Sequence, residues 1–244
     1  MNAALGLAEQ GFPCVLVEKA DRLGGNSLQR RFNWCSPDPQ PYLRDQVQAI
    51  EGNPNITTYL DSEVTAFSGY LGNFKARILN RISGKENEVE CGSVIVATGA
   101  VERTPSEYYY GSSERILTQT EFEQRLADEA PELAGIRNIV MIQCVGSREE
   151  PNLYCSRVCC TQAIQNALVL KKKHPDAAVY ILYRDIRTYG LRENLYREAR
   201  DAGVVFLRYT LEDKPVVEPR EQGVRVRCKV PISMRDILLV ADLL

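Results

Sequence analysis

Histidine is nearly missing from this chain, whose 244 residues hold one, His174. A histidine-based triad and a multi-histidine metal site are thereby all but excluded. His174 precedes Pro175, where it reads as the end of a helix and not as a catalytic group. Long apolar runs are lacking too: none approaches the roughly 20 residues that span a bilayer. The N-terminus shows neither the basic head nor the cleavage signal of a secretory peptide, so a cytoplasmic location is expected. Charge of one sign is not in excess. Thirty Lys+Arg stand against 32 Asp+Glu, for a formal net charge of -2, and neither sign forms a long block, so no field points to nucleic acid or anionic lipid. The short run Lys171-Lys172-Lys173 marks the exposed end of a helix.

What is present suffices for one large core or two modest ones, at 44% hydrophobic residues. Met1 to Gln10 reads as a helix stopped by Gly11, followed by a short buried strand, Cys14 to Val17, that ends on Glu18. That order is the second half of a βαβ dinucleotide unit, whose first strand and G-x-G-x-x-G turn are expected just before Met1 and are not in the sequence. Pro41 to Glu51 is helical in pattern. Ile56 to Leu60, Glu63 to Ser68 and Asn73 to Leu79 alternate like the strands of a β-meander with Gly69 and Gly72 in turns. Val94 to Ala100 reads as a buried strand running into a small-residue turn, and Glu102 to Gly111 as a crossover. A second β–α–β–α–β unit follows: a helix near Thr118 to Ala130, a strand from Asn138 to Gln143, a helix from about Arg157 to Lys173, a strand from Ala178 to Leu182, a helix from Leu191 to Ala202 and a strand from Val204 to Leu207. Val224 to Val230 begins another meander. The domain boundaries expected are 1–111, 112–213 and 214–244.

Two stretches carry chemistry. At the end of the first strand, a carboxylate on Glu18 is placed to accept hydrogen bonds from both hydroxyls of a ribose, and Gly24-Gly25 lets backbone pass close to a pyrophosphate or flavin. A surface acid beside an ordinary glycine turn is the competing reading. Ala97-Thr98-Gly99 favours the nucleotide, because flavoproteins with two dinucleotide domains place such an element after their meander.

The stronger signal is in the cysteines. There are eight, of which Cys14, Cys35, Cys91 and Cys228 are scattered and read as small buried hydrophobes. Cys144, Cys155, Cys159 and Cys160 crowd into one window. Four thiolates are what an iron–sulfur cubane takes. If Cys155 caps the helix, Cys159 lies one turn along the same face, about 6 Å of rise away, and free N–H groups at the helix start stabilise an anionic centre. A zinc site would show two separated short-spaced pairs, which the vicinal Cys159-Cys160 does not fit. A catalytic dithiol would want a C-x-x-C pair in the flavin domain, and chance burial of four cysteines is the weakest alternative. In a nicotinamide-binding lobe, the turn after the Asn138 strand would carry its own glycine fingerprint. Here Cys144 stands at the first glycine position and the helix starts late, so this lobe is not expected to bind NAD(P)H in the usual way.

The runs Gln143-Cys144-Val145-Gly146-Ser147-Arg148 and Tyr154-Cys155-Ser156-Arg157-Val158-Cys159-Cys160 strongly resemble the flavin-carrying (A-type) component of heterodisulfide reductase. So do the segments Tyr183 to Gly190, Gly69 to Phe74 and Val17-Glu18-Lys19 with Gly24-Gly25. The resemblance covers nearly the whole chain. It implies an α/β architecture of two Rossmann-like (FAD/NAD(P)-binding, thioredoxin-reductase-like) lobes with a small β-meander, here truncated at both ends. It implies an oxidoreductase component that relays electrons between FAD and a [4Fe-4S] cluster, in some relatives by flavin-based bifurcation. FAD is then expected at Glu18, Lys19, Gly24, Gly25, Asn26, Ala97, Thr98 and Gly99, and the cluster on Cys144, Cys155, Cys159 and Cys160, with no residue acting as acid or base. The implied partners are heterodisulfide reductase B and C subunits, a hydrogenase or formate dehydrogenase module and ferredoxin. The alternatives are a flavin-dependent thiol–disulfide or polysulfide reductase and a non-catalytic scaffold subunit.

Overall fold

The computed structural model describes residues 1–36 and 38–244. They fall into two compact units, one made of Met1–Arg30 and Pro39–Glu102, the other of Arg31–Asp38 and Arg103–Leu244.

In the first unit, α1 (Asn2–Glu9) and α2 (Gln40–Glu51) pack beside a parallel pair, β1 (Cys14–Val17) and β2 (Ile56–Tyr59). Leu5, Ala8, Leu23, Ile50 and Ile56 form its core. Gly11 takes φ +84, a left-handed conformation that ends α1 at little steric cost. The meander is β3 (Ser62–Tyr70), β4 (Asn73–Asn80) and β5 (Glu86–Cys91), all antiparallel.

Two strand assignments differ from the sequence reading. Ile56–Tyr59 is not in the meander but pairs with β1, because Asp61, at φ +49, turns the chain before β3 begins. The third meander strand, Glu86–Cys91, has little apolar alternation to show in sequence. It is joined to β4 by an antiparallel backbone ladder that runs from Phe74 opposite Cys91 to Leu79 opposite Glu86, over which Lys75 Nζ lies 2.9 Å from Glu90 and 3.7 Å from Glu88 at the surface. A third difference concerns Val94 to Gly99, expected as a buried strand. It makes no strand, and Val94, Ile95 and Val96 are 49%, 61% and 80% exposed. Among the described residues no strand lies beside it to complete a ladder, and an unpaired segment does not hold a buried strand's place.

In the second unit, β6 (Asn138–Ile142), β7 (Ala178–Tyr183) and β8 (Val205–Arg208) form a parallel sheet in that order. Two layers cover it. On one side α3 (Gln119–Ala127), α4 (Cys159–Lys173) and α5 (Glu193–Asp201) supply Phe122, Leu126, Ala163, Ile164, Ala167, Leu170 and Ala199 to a core with Ile139, Met141, Val179 and Ile181. On the other, an antiparallel sheet of β9 (Val216–Pro219), β10 (Val224–Val230) and β11 (Arg235–Ala241) packs Val217, Val224, Val226 and Leu239 against Val140 and Leu182. This is the second meander read from Val224 onward. Along β6, Ile139 and Met141 thus serve one core and Val140 the other, so both faces are used, as in buried parallel strands. Thr118 and Glu121 close a capping box at the start of α3, and His174 is the C-cap of α4. No helix among the described residues is long and apolar enough to cross a membrane.

Candidate functional site

In the first unit, Glu18 follows β1, and its Oε1 accepts the Ala20 N–H at 2.9 Å. The Gly24-Gly25 turn has φ of +123 and +50. At Gly24 a Cβ would meet Leu28 Cγ at 2.9 Å, whereas the faces of Gly25 and Gly99 are open. Asn26 Nδ2 donates to the Ala100 carbonyl at 2.6 Å. That bond ties the glycine turn to the end of the Ala97-Thr98-Gly99 segment, 74 residues away in sequence. Lys19 is exposed. The groups present suit the ribose and flavin portions of FAD: a carboxylate at a strand end, two unobstructed glycines and a braced turn. A phosphate turn of the G-x-G-x-x-G kind is not in the sequence.

In the second unit, the loop from Cys144 to Val158 joins β6 to α4. Cys144 sits at φ +62, Gly146 at +57, Arg148 at +62 and Arg157 at +63. The three non-glycine residues held left-handed are strained, and such strain persists only where neighbours over-determine the backbone. The neighbours are identifiable. Tyr209 Oη donates to the Gln143 carbonyl at 2.5 Å. Arg184, 9% exposed, donates to the carbonyls of Ser147 and Arg148. The Arg103 guanidinium, paired with Glu107 through two bonds of 2.9 and 3.0 Å, lies against the bare face of Gly146, where a Cβ would collide with it.

The helix begins later than its sequence pattern suggests. α4 starts at Cys159 with Val158 as N-cap and no side-chain cap, because the left-handed Arg157 interrupts helical propagation just upstream. Cys155 is therefore not a helix cap, and the one-turn spacing to Cys159 does not apply. Its Sγ instead accepts the Arg157 N–H at 3.3 Å. Cys159 and Cys160 occupy the first turn. The neighbouring Cys160, with help from Ser156 and the first N–H groups of the helix, holds the Cys159 thiol below its ordinary value, against the opposing effect of burial. The same pairing, together with burial, pushes Cys160 up. Cys144 is close enough for its charge to raise Cys160 further, and Cys160 Sγ donates to the Asp185 carbonyl at 3.8 Å.

Whether this set suits an iron–sulfur centre turns on its chemistry and its convergence. The donors are right: four free thiols on one loop–helix junction, with helix N–H groups and a guanidinium beside them. Convergence is partial. Among the described residues no three or more His, Cys, Asp or Glu side chains stand as a ready-made metal cage. Cys159 and Cys160 are neighbours at the start of α4 and Cys144 lies near enough to act on Cys160, while the Cys155 sulfur is engaged by the Arg157 N–H of its own loop. Of the scattered cysteines, Cys228 is buried as expected, Cys14 and Cys91 are half-buried, and Cys35 is exposed, its thiol donating to Asn33 Oδ1 at 3.1 Å.

One residue that shapes the second unit escapes sequence reasoning. Glu123, 1% exposed on α3, accepts the backbone N–H groups of Arg31 (2.6 Å) and Phe32 (3.3 Å) and a hydrogen bond from the Gln162 side chain (3.0 Å). It fastens the start of the Arg31–Asp38 segment to the rest of that unit. An acid in an amphipathic helix gives no sequence sign of such a role.

The fold is that of thioredoxin-reductase-like flavoproteins. Thioredoxin reductase of T. acidophilum superimposes with a TM-score of 0.56 at 14% identity, over 99% of this chain and 70% of that one. Lactococcus lactis thioredoxin reductase gives 0.56 at 16%, over 98% and 70%. In sequence, the chain is similar to A-type components of heterodisulfide reductases. One comes from the ferredoxin:CoB-CoM heterodisulfide reductase of Methanosarcina acetivorans, 34% identical over 373 residues that cover all of this chain and 46% of that protein. Another comes from the H(2):CoB-CoM heterodisulfide,ferredoxin reductase of Methanothermobacter marburgensis, 35% identical over 299 residues, or 85% of this chain and 45% of that protein. The resemblance read from the cysteine motif is thereby borne out. The chain spans about half the length of the curated relatives it matches. No family model matches it.

Proposed function

We propose that this chain is part of an oxidoreductase component of the heterodisulfide reductase A kind, in which FAD and a [4Fe-4S] cluster pass electrons. The observation that supports it is the substitution of chemistry in the second lobe. Where a nicotinamide-binding lobe carries a glycine turn running into a helix, this one carries four thiols, one of them held left-handed in the glycine's place. Cys144, Cys155, Cys159 and Cys160 would hold the cluster, and Glu18, Lys19, Gly24, Gly25, Asn26, Ala97, Thr98 and Gly99 would face FAD. The bound groups supply one- and two-electron chemistry. The chain's own residues orient the thiolates, brace the flavin turn and surround the cysteines with N–H and guanidinium donors. The Arg103–Glu107 pair lies over Gly146, which supports the reading that the second lobe is not an NAD(P)H site of the usual form. Partners of the B and C subunit, hydrogenase or formate dehydrogenase, and ferredoxin kinds, and bifurcation, belong to this same reading.

A second reading draws on the vicinal Cys159-Cys160 pair in the first turn of α4, where the Cys159 thiol is held below and the Cys160 thiol above the ordinary value. Such a pair suits thiol–disulfide chemistry on a small disulfide or polysulfide. Iron and acid-labile sulfide analysis of anaerobically purified protein separates the two. The cluster reading expects iron and sulfide in equal amounts with a broad visible band, and a dithiol enzyme contains neither.

A further inference from the structure

Arg148 is tied into the cysteine site through both arms of its guanidinium. Its Nη1 donates to Cys144 Sγ at 3.9 Å and its Nη2 to Asp185 Oδ2 at 2.5 Å. The side chain is only 20% exposed. Asp185 follows β7, and its backbone carbonyl accepts the Cys160 thiol, while its Oδ1 lies 4.0 Å from Arg208. Arg184, one residue earlier, clamps the carbonyls of Ser147 and Arg148. The Arg184-Asp185 dipeptide therefore addresses Cys144 through Arg148 and Cys160 directly.

We propose that Arg148 and Asp185 are a positioning pair that aims Cys144 and sets the reduction potential of the centre its thiolate holds. This inference rests on the iron–sulfur reading above. Reduction adds negative charge to the centre. A guanidinium in hydrogen-bond reach of a ligand sulfur stabilises the reduced state and raises the potential, and a carboxylate just behind it lowers the potential. The two side chains thus act with opposite signs, which a packing role would not produce.

The test is a potentiometric titration of the anaerobically reconstituted chain, followed by electron paramagnetic resonance. Arg148→Gln should titrate at a lower potential than the native chain, Arg148→Lys between the two, and Asp185→Asn at a higher one, at unchanged iron content. Equal potentials in all four proteins overturn the proposal. If Arg148→Gln fails to take up iron, Arg148→Lys and Asp185→Asn decide alone, and an unshifted or lowered potential in Asp185→Asn is contrary to it. A native chain without iron or sulfide defeats the parent reading first, whereas a loaded cluster with unmoved potentials defeats only this inference.

Discussion

The Cys144 backbone, at φ +62, sits in a conformation that costs an L-residue about 1–2 kcal/mol and glycine nothing, against about 0.5–1 kcal/mol of extra chain entropy for glycine. Cys144→Gly should therefore be more stable than Cys144→Ala by about 0.5–1 kcal/mol in the metal-free chain, as measured by urea unfolding. The reverse order would mean that the left-handed backbone is not held there. Tyr108 gives a pH prediction. Burial, reinforced by Glu149 and Glu107, pushes its hydroxyl up to about 12. The folded state thus prefers the neutral phenol, and the stability this gives is complete below the unfolded value near 10 and lost as pH rises toward about 12. Tyr108→Phe should flatten the fall in unfolding midpoint between about pH 10 and 12. Parallel curves for the two proteins would contradict the assignment.

Helix α3 and the loop it secures show what an element can hide. Removing the Glu123 carboxylate strands two part-buried backbone donors and takes from the Gln162 amide one of its two partners, the other being Thr120 Oγ1. Glu123→Ala should cost about 2–4 kcal/mol, with increased hydrogen exchange at Arg31 and Phe32. Glu123→Gln keeps an acceptor for both N–H groups and should cost under half as much; equal losses would argue against the hydrogen bonds as the cause. Elements are legible in sequence where apolar periodicity is strong, as in α4, whose Ala163, Ile164, Ala167 and Leu170 are fully buried, and in the parallel strands of the second unit. They are not legible where ion pairs stand in for apolar faces, as in Glu86–Cys91. Nor are they where the outcome depends on a neighbour, as at Val94 to Gly99, whose composition is that of a core strand but which has no ladder partner among the described residues. The start of α4 differs from its pattern because the left-handed backbone of Arg157, whose N–H goes to Cys155 Sγ, leaves no mark on residue type.

At the scale of the molecule, the two units differ in what they present at the end of their first parallel strand. The first has an acid after β1 and open glycines nearby in sequence, while the second has thiols, arginines and an ion pair in the loop after β6. The cysteine quartet and the Gly24-Gly25 pair stand out in sequence as candidates, because few residue types do that chemistry. The arginines that brace them cannot, since Arg184 and Arg103 look like any surface charge until the loop folds onto them. Titration calorimetry with NADPH should show no saturable heat from the second lobe at micromolar concentrations, and tight binding there would contradict the displaced cradle.

The central claim is that Cys144, Cys155, Cys159 and Cys160 hold one iron–sulfur centre. It is met most directly by low-temperature electron paramagnetic resonance of the dithionite-reduced, reconstituted chain and of single Cys→Ser variants. The account predicts a cluster signal that is lost or altered on substitution at each of these four positions and untouched at Cys14 or Cys91. The same signal in all four variants, or no signal in the native chain, would contradict it.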